Sequence, residues 1–95
     1  MDPVDALEKV TDYQSFLAFV RALAADWEDE VAKEKLNPSS PWGPGANGWE
    51  NGTIGQYLDA ALACAEGHAA LKGTLDKEPS WRAFAEFLYC GKIYE

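Results

Sequence analysis

The sequence predicts an all-α fold, a small bundle of three main helices preceded by one short helix. Apolar residues recur at offsets of three, four and seven along three separate segments, which is the period of an amphipathic helix. No stretch of the sequence alternates with the period of two that is typical of a strand. Residues that can cap a first turn also precede the apolar segments.

The length of the chain, 95 residues, favours one domain spanning 1–95. A chain of this size buries only about 60 to 65% of its unfolded surface, so a stable core needs many large side chains. The sequence contains four Trp, four Tyr and four Phe. We therefore expect an aromatic core.

The N-terminal part of the sequence predicts a short helix and then a long one. Asp2 and Pro3 fit the cap and the first position of the short helix. Thr11, followed three residues later by Gln14, fits a capping box that opens a helix over about residues 12–35. The apolar stripe of that helix consists of Phe16, Phe19, Val20, Leu23, Ala24, Trp27 and Val31.

Carboxylates are concentrated in the C-terminal half of this long helix. Acidic residues there oppose the helix dipole, and like charges four residues apart repel each other, so helix stability alone does not explain them. One interpretation is a solvated acidic face, and the other is a docking surface for a basic partner. The candidate interaction residues are Asp26, Glu28, Asp29, Glu30 and Glu34, together with Trp42 in the segment that follows.

Residues 37–52 form a predicted loop, because they include three Pro and four Gly. Loops of this length are uncommon in compact domains and are usually functional or mobile. Trp42 and Trp49 favour a loop that is held on the core by aromatic burial. The glycines match no phosphate-binding spacing and no strand precedes them, which argues against a nucleotide site.

The stretch from Trp49 to Thr53 joins this loop to the next helix. Thr53 and Gln56 fit a capping box, with Asn51 as the competing cap. Trp49 is expected to fold its ring over the first helical turn, and Glu50 lies near the positive end of the helix dipole. We interpret the stretch as a helix cap with an aromatic lid, and the alternative is a binding site centred on Glu50 and Asn51.

The remaining sequence predicts two more helices. One spans about residues 53–72, with Gly67 as an alternative end, since glycine often follows the last helical turn. The other spans about residues 79–91, with Pro79 in its first turn and Trp81 as a core residue. The residues after this last helix are expected to fold back on the bundle.

Together these segments resemble a family of small bacterial proteins that is a domain of unknown function. The resemblance spans most of the chain, and it implies an independent bacterial protein without supplying a catalytic residue, a cofactor or a partner. The chain departs from the family pattern in its extended Trp42 loop and in the alanine-rich run after Leu62. The shared pattern includes Trp49-Glu50-Asn51 at the start of a helix, Trp81-Arg82 in the last helix and a terminal Tyr94-Glu95.

The net charge limits the partners that we expect, and the apolar segments of the sequence bear on the location of the protein. Sixteen acidic and eight basic residues give a net charge of -8, which repels nucleic acid and anionic lipid surfaces. No apolar run approaches the roughly 18 residues of a membrane span, and the N-terminus lacks the apolar segment of a secretory signal. We therefore expect a cytoplasmic protein that binds neither nucleic acid nor membranes.

These observations favour a non-enzymatic interaction module, of the inhibitor or immunity type, that binds a basic protein and needs no cofactor or metal. One alternative is a homodimer formed through exposed aromatic surface. The other is a small-molecule or metal site between the 37–52 loop and the face carrying Cys64 and His68, which are four residues apart and supply half of a zinc site.

Overall fold

The computed structural model describes residues 1–94, and this part of the chain is all-α, as predicted. No strand occurs among these residues. None of their helices is long and apolar enough to cross a lipid bilayer. The five helices are α1 (Pro3–Glu8), α2 (Tyr13–Leu36), α3 (Ile54–Gly67), α4 (Ala69–Lys77) and α5 (Trp81–Ile93).

Two helix starts are those that the sequence predicts. The Asp2 carboxylate accepts a hydrogen bond from the Val4 amide at 2.7 Å, with proline at the first position of α1. The Thr53 hydroxyl accepts from the Gln56 amide at 3.1 Å, which makes Thr53 the cap of α3. The Gln56 side chain reaches back as expected, although it accepts from the Gly52 amide at 3.2 Å.

The predicted cap of α2 is wrong by one residue. Asp12, and not Thr11, accepts from the Ser15 amide at 2.8 Å, and the Ser15 hydroxyl accepts from the Asp12 amide at 3.0 Å. Ser15 therefore takes the role that the sequence assigned to Gln14. The Ser15 hydroxyl also donates to the Asp12 carboxylate at 2.7 Å. The bonds that this carboxylate accepts, first from the Ser15 amide and then from its hydroxyl, hold the pKa of Asp12 below its usual value.

The helix predicted over 53–72 is in fact two helices. α3 ends at Gly67, and the backbone at His68 is extended (φ -101°, ψ 107°) before α4 begins. α4 then continues to Lys77, five residues beyond the predicted end at 72. The break follows a glycine, which has low helix propensity, and it turns the chain so that Leu71 of α4 is buried.

The last helix begins at Trp81 and ends at Ile93, two residues later at each end than predicted. Its cap is Ser80, whose hydroxyl accepts from the Ala83 amide at 3.0 Å. Pro79 therefore lies before the helix and not in its first turn. A serine hydroxyl satisfies a first-turn amide, which proline cannot do, so the cap determines the boundary.

α5 is the central helix, because it packs against each of the other four. Phe19 of α2 and Ala85 of α5 are fully buried in the core, which also includes Trp49 from the loop. α2 and α3 both pack on α5, but no Cα atom of α2 lies within 8 Å of one in α3. The prediction that Trp81 belongs to the core is wrong, since this residue is 40% exposed at the edge of the bundle.

Candidate functional site

The carboxylates of α2 hold the loop that follows this helix. Glu30 is only 4% exposed. Its Oε1 atom accepts hydrogen bonds from the backbone amide of Asn47 at 3.0 Å and from that of Trp49 at 3.2 Å. A buried carboxylate is costly unless it is hydrogen-bonded, and here the two loop amides supply the donors.

Glu34 binds two separate parts of the same loop. Its two carboxylate oxygens accept from the Ser39 amide and the Ser39 hydroxyl, each at 2.6 Å, and Oε1 also accepts from the Ala46 amide at 2.8 Å. The bonds from Ser39, followed by that from Ala46, stabilise the charged form and hold the pKa of Glu34 below its usual value. Glu34 thereby joins residues seven positions apart in the loop.

Asp29 is the third carboxylate in this arrangement and acts through Asn47. The Asn47 side-chain amide donates to Asp29 at 2.9 Å and to the Asp26 carbonyl at 3.0 Å. Lys33 bridges the pair, since its ammonium group lies 2.8 Å from the Asn47 side-chain oxygen and 2.9 Å from Asp29. The hydrogen bonds from Asn47 and then Lys33 lower the pKa of Asp29.

Asp26 connects the loop to α5. Its Oδ2 atom accepts from the Trp49 indole N–H at 2.8 Å and from the Lys92 ammonium at 2.7 Å. Lys92 is only 7% exposed and also lies 5.6 Å from the Trp49 ring centroid. We call Asp26, Asp29, Glu30 and Glu34 the carboxylate clamp, because each of them bonds to the loop.

The Trp49 ring is enclosed by aromatic neighbours as well as by the clamp. Its centroid lies 5.2 Å from that of Trp27 and 6.1 Å from that of Tyr57 in the first turn of α3. The predicted aromatic lid is therefore confirmed. The expectation that Trp42 also anchors the loop by burial is wrong, because Trp42 is 95% exposed.

Glycine positions explain how the loop approaches α2 so closely. Gly48 adopts a positive φ of 85°, which L-residues with side chains rarely adopt. A Cβ atom at Gly45 would occupy the space of the Glu30 carboxylate. Backbone hydrogen bonds from Gly45 to the Trp49 carbonyl at 3.0 Å and from Gly48 to the Gly45 carbonyl at 2.9 Å complete the turn.

The two residues after Trp49 form hydrogen bonds with the C-terminal end of α5. The Asn51 side chain donates to the carbonyls of Gly91 at 2.9 Å and Tyr94 at 2.8 Å. The Glu50 amide donates to the Lys92 carbonyl at 2.9 Å, and Glu50 itself is half-buried. Asn51 thus satisfies the C-terminal carbonyls of α5 and does not cap α3.

This geometry brings together two segments that the sequence analysis had paired only by resemblance, Trp49-Glu50-Asn51 and the end of the chain. The final residue of that pattern, Glu95, lies outside the described residues. A family model matches residues 12–95. The chain belongs to the family of unknown function DUF7660. The predicted resemblance to a domain of unknown function is therefore confirmed.

The family match includes the whole carboxylate clamp, the loop and the α5 residues bonded to them, and it begins at the cap of α2. Comparisons with curated proteins and with solved structures give no match. The family is of unknown function and therefore assigns no activity to this chain. A function has to be argued from the site itself.

The sequence analysis identified the clamp carboxylates but missed the residues that bind them. Asn47, Ser39 and Lys92 were not singled out, although Lys92 is the only charged residue from 87 to 93, and a buried ammonium needs a carboxylate. A further signal was available in the repulsive spacing of Asp26, Glu30 and Glu34. The spacing is tolerated here because Glu30 and Glu34 accept hydrogen bonds from loop amides. Asp26 accepts from the Trp49 indole N–H and the Lys92 ammonium.

Cys64 and His68 line the same cavity, as the small-molecule or metal alternative requires, but they differ in their surroundings. Cys64 is buried, whereas His68 lies at the α3–α4 junction, 5.4 Å from the Tyr94 ring. Burial, together with the adjacent Cys64 thiol, raises the pKa of the half-buried Cys90 to about 12, which keeps this thiol protonated and weakly nucleophilic. Within residues 1–94, no group of three or more His, Cys, Asp or Glu side chains is placed to hold a metal ion.

Proposed function

We propose that this protein is a non-enzymatic interaction module that binds a basic partner protein through Trp42 and the exposed carboxylates of α2. The observation that carries the proposal is the contrast within one loop. Trp49 and the loop amides are bonded to the carboxylate clamp, whereas Trp42 is 95% exposed. The fold therefore makes no use of the Trp42 indole.

A loop held in this way is well suited to present a side chain. Binding costs free energy when a flexible segment has to be ordered, and a loop that is already ordered avoids much of that cost. Tryptophan is also enriched among the residues that dominate binding energy at protein interfaces. The clamp thus supports recognition by fixing the loop that carries Trp42.

The charge of the protein supports a basic partner. The net charge is -8, and the exposed side of α2 carries Glu28 and the Asp29 side chain, which is 56% exposed. A surface of one charge meets a surface of the opposite charge faster. Salt screens this attraction, so binding that depends on it weakens as the salt concentration rises. An inhibitor or immunity-type protein, which acts by covering a surface of its target, fits this chemistry.

The clamp changes how the acidic residues have to be tested. Asp26 and Glu30 are bonded within the fold, so neutralising them would disturb the loop as well as the surface charge. Glu28 is exposed and offers a cleaner substitution. We therefore use Trp42→Ala and Glu28→Lys as the test variants.

The experiment is affinity capture from a lysate of the source organism with the immobilised protein. Leu36→Ala serves as the matched control, because Leu36 is 88% exposed at the end of the same helix and lies outside the loop. We expect the wild type and the control to retain a basic protein that salt releases. We expect Trp42→Ala and Glu28→Lys to lose it while keeping the wild-type melting temperature.

Two results would contradict the proposal. One is that all four proteins retain the same polypeptides in the same amounts. The other is that the retained protein is acidic or is not released by salt, since the interaction would then not depend on opposite charges.

A further inference from the structure

An apolar groove runs along the bundle between α2 and α3. Both helices pack on α5, and no Cα atom of α2 lies within 8 Å of one in α3, so α5 forms the floor of the groove and the other two form its walls. The cavity at its centre has a volume of about 380 Å³. Its lining includes Val20, Ala24 and Trp27 of α2, Ile54 and Leu58 of α3, and Leu88 of α5.

Exposed apolar residues continue along α5 beyond this cavity. Trp81 and Phe84 precede Leu88 by seven and four residues, which places all three on one face of the helix. Trp81 is 40% exposed and Phe84 is 43% exposed. In a four-helix bundle a further helix would cover such a face, and here the position is open.

An apolar ridge lies directly beside the groove on α3. Ile54, Leu58 and Leu62 follow one another at intervals of four, and they are 81%, 50% and 51% exposed. Helix α3 therefore forms one wall of the groove in its own copy and carries a ridge that fits the groove of a second copy. Two copies related by a two-fold axis cover both apolar surfaces, because the ridge of each copy enters the groove of the other.

The distribution of charge favours a second copy in this groove. None of the residues that line the cavity is charged, although the chain carries a net charge of -8. Acidic chains repel one another, so a stable contact between copies needs a face without carboxylates. At the edges, Arg21 follows Val20 on α2 and Asp59 follows Leu58 on α3, and both are exposed. In the dimer α3 of one copy packs along α2 of the other, and these two residues offer opposite charges at the edges of that contact.

We infer that the protein forms a two-fold homodimer in which the ridge on α3 of each copy packs into the groove between α2 and α3 of the other. This assembly is independent of the proposed basic partner, which uses Trp42 and the exposed carboxylates. Salt separates the two interactions, because it weakens attraction to a basic partner but screens the repulsion between two acidic copies.

The test is sedimentation velocity on the purified full chain from low micromolar to millimolar concentration. We expect a concentration-dependent species of twice the monomer mass of 10.4 kDa, and we expect its population to grow as salt is raised. Leu58→Glu places a carboxylate against the apolar lining of the partner copy. This variant should weaken dimerisation by about 100-fold, since an unpaired charge is costly to bury.

Leu36→Glu is the matched control, because it adds the same charge at a residue that is 88% exposed outside the groove. It should dimerise like the wild type. Circular dichroism establishes that each variant is folded, and Ile54→Glu replaces Leu58→Glu if the latter is not. The inference is overturned if the wild type remains a monomer throughout, or if the folded ridge variant dimerises as well as the control. It is equally overturned if the groove variants alter capture of the basic partner and leave the oligomeric state unchanged.

Discussion

Glu30 shows how a single side chain shapes a loop of this protein. Its carboxylate is buried and accepts two loop amides, from Asn47 and Trp49. Gly45 faces the same carboxylate, and a Cβ atom there would overlap with it. Because the two amides and the surrounding burial hold the Glu30 side chain in place, it cannot move aside cheaply.

Gly45→Ala should therefore destabilise the protein by about 1 to 3 kcal/mol, which is the usual cost of overpacking. Gly43→Ala is the matched control in the same loop, since a Cβ atom at Gly43 meets nothing within 4 Å. Chemical denaturation of both variants measures the difference. Equal stability of the two variants would show that the loop does not approach Glu30 as described.

The tryptophans should differ in their contributions to stability according to their burial. Trp49→Ala removes a core ring and should cost about 3 to 5 kcal/mol, whereas Trp42→Ala should stay within about 0.5 kcal/mol of the wild type. Trp81 contacts Tyr13 and Phe16 but is 40% exposed, so Trp81→Ala should cost less than Trp49→Ala. Denaturation midpoints rank the three variants, and a large loss at Trp42 would mean that its indole packs on the core.

At the scale of helices, Gly91 of α5 leaves room for the Tyr57 ring of α3. The Tyr57 hydroxyl donates to the Leu88 carbonyl at 2.5 Å, which lays the tyrosine ring across α5. A Cβ atom at Gly91 would lie 2.6 Å from that ring. Burial of the phenol raises the pKa of Tyr57 to about 12, with a smaller contribution from Cys90.

Gly91→Ala and Gly73→Ala should consequently have effects of opposite sign. Alanine at position 91 would collide with Tyr57 and destabilise the protein by about 1 to 3 kcal/mol. Alanine at position 73 in α4 meets nothing within 4 Å, and it should stabilise the helix by about 0.5 to 1 kcal/mol. Thermal denaturation compares the pair, and a stabilising Gly91→Ala would contradict the close approach of α3 to α5.

The sequence was sufficient to predict elements whose signals are local. The cap at Thr53 and the apolar stripe of α2 depend on residues within one or two turns, and both are present in the structure. The break at His68 was not favoured, since Leu71 continues the apolar spacing of α3 into α4. The clamp was not predicted either, because its hydrogen bonds join α2 to residues up to 66 positions away, as between Asp26 and Lys92.

At the scale of the whole molecule, the clamp connects α2, the loop and the end of α5. The charged form of its carboxylates is the form that accepts the loop hydrogen bonds. Asp29 and Glu34 have pKa values below their ordinary values of 3.8 and 4.5 because of these bonds. A group whose pKa is lower in the folded state stabilises the fold above its unfolded pKa and loses that contribution as the pH falls.

Loss of these contributions should therefore make stability fall progressively as the pH drops below about 5. Glu34→Gln removes one contributor, so this variant should be less stable at neutral pH and should show a shallower decline in acid. Urea denaturation over this pH range measures both effects. An acid decline of the same slope in the wild type and the variant would show that Glu34 does not contribute through its charged form.

Amide hydrogen exchange at Asn47 and Trp49 tests most directly the central claim, that buried Glu30 holds the loop on α2. We predict that both amides are strongly protected in the wild type, and that Glu30→Ala abolishes this protection while amides in the centre of α5 remain protected. Exchange of these two amides in the wild type at the rate of an unstructured peptide would contradict the account.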